Sequence, residues 1–231
     1  MRVVALICAA NRSVACVCLR KRLPPNKKAG ASIDLKALRD VKFGVTTVGV
    51  FLIEFAVFIP YTYICSYGIW AGMSHRDAYL LNVLVNAGAV PGRVLPGYVA
   101  DKVGVFNTMC ICAVACTVFI LGLWPTAKGD DTLIYIFAVF FGFFSGAAIS
   151  LTPVCVGQVC KVEDLGKRNG TAFFVAGFGA LIGVPIAASV LEANNGDYNG
   201  LIFFGGAFYL AAFIAFCIAR GVAGGWRMRA F

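Results

Sequence analysis

Asn82, Asn86 and Arg93 stand in a stretch otherwise apolar enough to dissolve in lipid. Their spacing of four and then seven residues sets them along one face of a helix, with Ala89 in the intermediate place. A guanidinium beside two amides can hold an anion, because its fork of donors matches both oxygens of a carboxylate. A charge inside a membrane span costs about 2.5–3.5 kcal/mol, so it faces a cavity or a partner, or snorkels to the headgroups. The polar neighbours favour the cavity for Arg93. A second charge, Glu54, falls near the middle of another apolar run, with Tyr61 seven residues on along the same face. Glu54 reads as a protonated acid, a helix-bonded acid or a proton-coupling carboxylate. Gly97, Asp101, Lys102 and Gly104 then form a charged turn just beyond Arg93.

Nothing in the chain assembles a catalytic constellation. It has no phosphate loop and no nucleophile–base pair. Cys110, Cys112 and Cys116 cluster in one apolar run, but the single histidine, His75, stands in a distant loop, so small apolar filler explains them better than a metal. We expect neither an enzyme nor a bound cofactor or metal.

The elements that position these residues follow from composition. Hydrophobic residues make up 60% of the chain and charged residues 13%, with a mean hydropathy of +0.84. A soluble domain keeps roughly a quarter of its residues charged, so the solvent for most of this surface is lipid. The net charge of +9 could suggest nucleic acid, but its basic residues sit in short gaps between apolar runs and form no groove-reading face. Stretches of span length fall at about 43–65, 79–99, 104–124, 133–154, 170–191 and 201–219. In lipid each must satisfy its own backbone, which makes them helices. An all-α membrane protein with six transmembrane helices is the expected fold class.

Lys and Arg set the expected orientation. With the segment before Phe43 in the cytoplasm, that side holds 15 basic residues, eight of them at 20–42, and the other side only Arg76 and Lys128. Both termini are therefore expected inside, in a multi-pass protein of the plasma membrane rather than an internal one. Residues 1–19 are too short to span. They read as the end of an earlier membrane helix or, with Arg2 and Ser13-Val14-Ala15, as a leader peptide; the leader would carry the basic block across the membrane, against the charge bias. Residues 20–42 then form a basic cytoplasmic loop, with Asp34 or Ser32 capping a short helix. Residues 43–219 form the six-helix unit and 220–231 a basic tail. Gly88/Gly92, Gly142/Gly146 and Gly179/Gly183 are pairs that let helices approach closely, and Pro60, Pro91, Pro96, Pro153 and Pro185 permit bends.

"GYVADKVG", through Gly97, Asp101, Lys102 and Gly104, resembles the loop motif glycine-x-x-x-aspartate-[arginine/lysine]-x-glycine of the major facilitator superfamily. The basic residues that often follow are replaced by Val105 and Phe106. With "RLPP…IDLKALRD", "FFGFFSGAAISLTP" and "LGKRNGTAFFVAGFGALIGVPIAASVL" in this order, nearly the whole chain is similar to the C-terminal half of monocarboxylate-transporter-like permeases of the fungal branch. The resemblance implies one six-helix half of a major facilitator fold. It implies a secondary transporter of a small, monocarboxylate-like anionic solute that works by alternating access. In that family an arginine eight residues before the motif aspartate is linked to the substrate carboxylate, and Arg93 holds that place. Ala89 stands where animal members carry an aspartate. The resemblance makes Asp101 and Lys102 a latch against a matching N-terminal half, and admits a coupled proton. The rival expectation is a truncated or regulatory membrane fragment that transports nothing.

The orientation makes a direct prediction. Asn169-Gly170-Thr171 and Asn11-Arg12-Ser13 are glycosylation sequons placed on the cytoplasmic side, so both stay bare. Mass measurement before and after glycosidase treatment checks this, and a shift abolished by Asn169→Gln would reverse the orientation.

Overall fold

A computed structural model describes residues 2–18, 33–127 and 130–224. The chain divides into two units, Met1–Ala31 and Ser32–Phe231. The first contributes α1 (Arg2–Cys18), whose described side chains are exposed and whose apolar part, Ala5–Cys18, is shorter than a span. The second holds six helices long and apolar enough to cross a membrane. They are α2 (Val41–Trp70), α3 (His75–Val103), α4 (Val105–Thr126), α5 (Asp131–Gln158), α6 (Leu165–Ala193) and α7 (Tyr198–Gly224). Short 3-10 turns at Leu35–Arg39 and Val162–Asp164 lead into α2 and α6. Every span runs past its expected end, and all but α4 also begin earlier than expected, because a helix continues into the headgroup region where its backbone bonds stay closed.

The helices pack through small residues. Gly88 and Gly92 of α3 meet the backbone carbonyls of Val139 and Phe143 on α5, and Gly142 of α5 meets the carbonyl of Val85 on α3. A side-chain carbon at any of these glycines would collide with backbone. The two glycine pairs read from the sequence are thus two sides of one seam, closed by van der Waals contact between main chains. Gly179 and Gly183 of α6 do the same against the carbonyls of Phe51 and Phe55 on α2. On the other side α4 packs on α5 and α7, and α7 on α2.

Two cores stack along the bundle. One is aromatic: Trp124 stacks on Phe137 at 4.9 Å, and the Tyr67 hydroxyl donates to the Trp124 carbonyl at 3.2 Å. The other gathers Phe43, Ile53, Met109, Leu151 and Phe216 toward the end where α2 begins. Cys110, Cys112 and Cys116 are buried filler in α4, as expected, with the Cys110 and Cys217 sulfurs 3.8 Å apart. The prolines inside α2, α3, α5 and α6 leave those helices continuous. Pro125 has a visible effect. It cannot donate to the carbonyl one turn back, and the turn before it, Phe119–Leu123, widens to a π-helix in which the Trp124 amide reaches the Phe119 carbonyl.

The Leu35–Arg39 turn is tied to α6 by two ion pairs. Lys167 Nζ lies 3.0 Å from Asp34 Oδ2, and Arg168 donates to Asp40 Oδ2 at 3.2 Å while its guanidinium covers the Phe43 ring at 5.1 Å. The Asp34 amide also donates to Thr171 Oγ1 at 2.8 Å. The hydrogen bond from Lys167 holds the Asp34 carboxyl below its ordinary range. Asp34 therefore stands at the start of a short helix as expected, but its side chain makes no cap, because Lys167 engages it. The cap that does form belongs to Asp40, whose Oδ1 accepts the Lys42 amide and starts α2. Ser32 lies outside the described residues.

The seam predicts an asymmetry between glycines. Gly142→Leu forces α3 and α5 apart, a cost of about 1–3 kcal/mol or more, and lowers the melting temperature in detergent. Gly177→Leu, where an added carbon meets nothing within 4 Å, leaves it unchanged. Equal melting temperatures for the two variants would remove the seam as the determinant of packing.

Candidate functional site

α3 presents the candidate residues. Its start is fixed by Ser74, whose Oγ accepts the Asp77 amide at 3.2 Å and donates to the Asp77 carboxylate at 2.7 Å. Its rotation is fixed by the seam. With Gly88, Gly92 and Ala89 turned to α5, the Asn82, Asn86 and Arg93 side chains are exposed, and none of the described residues covers them. Ala89 departs from the expected stripe. It is 3% exposed because it sits at the rim of that stripe, pressed on Gly146, where no longer side chain would fit.

Asn82 and Asn86 act as a pair. The Asn86 amide donates to the Asn82 backbone carbonyl at 2.8 Å and lies 3.4 Å from Asn82 Oδ1. Together with Tyr79, Val83 and Val90 they line a groove of about 660 Å³. Arg93 lies two helical turns further, roughly 10 Å along the axis, and does not line it. It lies within electrostatic reach of the Tyr61 phenol of α2. Tyr61 is held by its ring against Phe141 at 5.9 Å and by its hydroxyl, 3.3 Å from Ser145 Oγ on α5. The structure thus brings Tyr61 and Ser145 together between α2 and α5, with Arg93 of α3 within electrostatic reach of the phenol, and sets Asn82 and Asn86 apart toward the other end of α3.

Glu54 lies on the Tyr61 face of α2, half-buried, and among the described residues no ion pair reaches it. Tyr209 of α7 is wholly buried and lies within electrostatic reach of Cys116, Tyr61 and Glu54. Among the described residues the Tyr209 hydroxyl has no hydrogen-bond partner of good geometry. Ser145 and Tyr209 escape sequence reasoning. Ser145 is one hydroxyl in an apolar run, and its partner Tyr61 is 84 residues away.

The charged turn proves to be helical. Asp101 and Lys102 belong to the last turn of α3, both exposed, and Lys102 covers the Tyr98 ring at 4.4 Å. Gly104 alone joins α3 to α4. Its φ of 99° lies where side chains are strained, and its amide closes the helix onto the Ala100 carbonyl at 2.8 Å. Gly97 faces open space. Among the described residues no group of three or more His, Cys, Asp or Glu side chains converges as a metal site.

Comparison with known proteins places this arrangement. Residues 72–227 match the family model of the Major Facilitator Superfamily. A riboflavin transporter of Saccharomyces cerevisiae is 31% identical over 98% of this chain and 47% of its own length. An MFS-type transporter of Gibberella moniliformis is 33% identical over 95% of the chain and 53% of its own length. An aspyridones efflux protein of Emericella nidulans is 30% identical over 94% and 44%. The chain belongs to the major facilitator superfamily, a class of membrane transporters and not of enzymes. It spans about half the length of the curated relatives it matches.

Proposed function

We propose that this chain is the C-terminal six-helix half of a secondary transporter for an organic anion, monocarboxylate-like at its simplest. The observation that carries the proposal is the open face of α3, where Arg93 is exposed along with Asn82 and Asn86 and stands free of any described ion pair. In this fold, solute and coupling sites lie between two repeats near the midplane. Arg93 holds the acidic group, Tyr61 and Asn86 hydrogen-bond the solute, and Asn82 braces Asn86. Glu54, with Tyr209 behind it, carries a coupled proton. Asp101 and Lys102, with Gly97 and Gly104 shaping the chain around them, latch this half to a matching N-terminal half during alternating access. Residues 1–19 close an earlier span, residues 20–42 link the halves, and both termini face the cytoplasm of a plasma-membrane protein. Relatives named for riboflavin and for aspyridones efflux support a solute class of organic molecules wider than monocarboxylates.

The test is uptake and efflux of radiolabelled organic acids, riboflavin among the panel, in transporter-deficient cells. The chain expressed alone gives none, and co-expression with a matching N-terminal half restores saturable transport. In that pair Arg93→Lys lowers transport and Arg93→Ala lowers it further, by about 10- to 100-fold for the loss of a charged hydrogen bond, at unchanged surface expression. Normal transport by the alanine variant would leave Arg93 as a snorkelling residue. Robust transport by the chain alone would replace the paired halves by a homodimer.

A further inference from the structure

The end of the bundle where α2 begins carries a second groove, unrelated to Arg93. α6 and α7 both pack on α2 but touch each other little, and the gap between them opens a groove of about 780 Å³. α2 forms its floor from Val41 to Phe51, Val175 and Ile218 form its sides, and Leu38 and Arg39 form its rim. The helix from Val41 to Phe51 rises roughly 15 Å, which matches half of the roughly 30 Å hydrocarbon core, the depth of one leaflet. The wall is apolar in effect, since the Thr47 hydroxyl is spent on the Phe43 carbonyl at 2.8 Å.

The rim is positive. Arg39 is exposed there, and Lys36 and Lys42, three residues to either side, are exposed as well. The two acids that flank the turn are already paired: Asp34 with Lys167 and Asp40 with Arg168. An apolar slot one leaflet deep beneath an unneutralised basic rim has the shape and charge of a phospholipid site. We propose that the groove holds an anionic glycerophospholipid of the adjacent leaflet, its acyl chain along α2 between α6 and α7 and its phosphate on Arg39. The acyl chain gains little by leaving other lipid for protein, so selectivity rests on the rim charge. Bound there, the lipid joins the Leu35–Arg39 turn to α6 and α7, and reinforces the ion pairs that hold the turn. Nothing in this site depends on what the transporter carries.

The test is native mass spectrometry and thermal melting of the purified full chain with phosphatidylserine, phosphatidylcholine or water-soluble glycerophosphoserine. Phosphatidylserine is retained over phosphatidylcholine by roughly five-fold for each basic residue engaged, and it alone raises the melting temperature. Arg39→Gln removes the preference and leaves phosphatidylcholine retention unchanged. Val48→Trp, which fills the groove, removes phosphatidylserine retention. Equal retention of the two lipids, or a preference that survives Arg39→Gln, overturns the proposal. Stabilisation by glycerophosphoserine alone shows a free-phosphate site and overturns the lipid assignment. Should the tryptophan variant fail to fold, the Arg39 comparison decides.

Discussion

The seam between α3 and α5 fixes the rest of the structure. In lipid, apolar surface gives helices little reason to associate, so they must touch closely enough for main chains to make contact. Gly88 and Gly92 on one side and Gly142 and Gly146 on the other allow that approach. Once those four glycines meet, α3 has a single rotation about its axis, and Asn82, Asn86 and Arg93 turn away from the bundle that α3 helps to build. That polar face would be costly in lipid. The coverage of the helices agrees with this: within the most apolar stretch of each span, 67% of residues are buried in α2, 33% in α3 and 22% in the span containing α6.

Charge is distributed by the same economy. Both described ion pairs lie at the end where α2 and α6 begin, and both join the Leu35–Arg39 turn to α6. Asp101 and Lys102 stand in the last turn of α3, at the end of that helix, with no described ion pair between them and the bundle. Within the spans the charged groups are few, and Arg93 and Glu54 each lie within electrostatic reach of a phenol, Arg93 of Tyr61 and Glu54 of Tyr209. A phenol can donate to or accept from a neighbouring group.

Much of this was legible in the sequence, where the code is local. Six spans, the glycine pairs and the polar stripe of α3 depend on residues within a few turns of one another. Helix ends were placed too early, because hydropathy registers the apolar core and not the turns that continue into the headgroups; Asp101 therefore read as a loop residue and is helical. Ala89 read as part of the stripe, since angle alone cannot tell that a residue at the rim is pressed on Gly146. The interactions that needed the fold join distant segments: Tyr61 with Ser145, Asp34 with Lys167, and Glu54 with Tyr209. Asp34 shows how such a contact overrides a local rule, since a carboxylate at a helix start meets a lysine more strongly than the helix amides.

The central claim is that the polar stripe of α3 faces an aqueous path and not lipid. Cysteine accessibility measures this directly. In a background with the ten native cysteines replaced, single cysteines at Asn86 and Arg93 are treated with a membrane-impermeant thiol reagent, with the chain in the membrane beside a matching N-terminal half. Cysteines at Val118 of α4 and Ile214 of α7, which are 60% and 50% exposed, serve as lipid-facing controls. The account predicts that Asn86→Cys and Arg93→Cys react while Val118→Cys and Ile214→Cys do not. Protection of all four alike would place the stripe in lipid and contradict it.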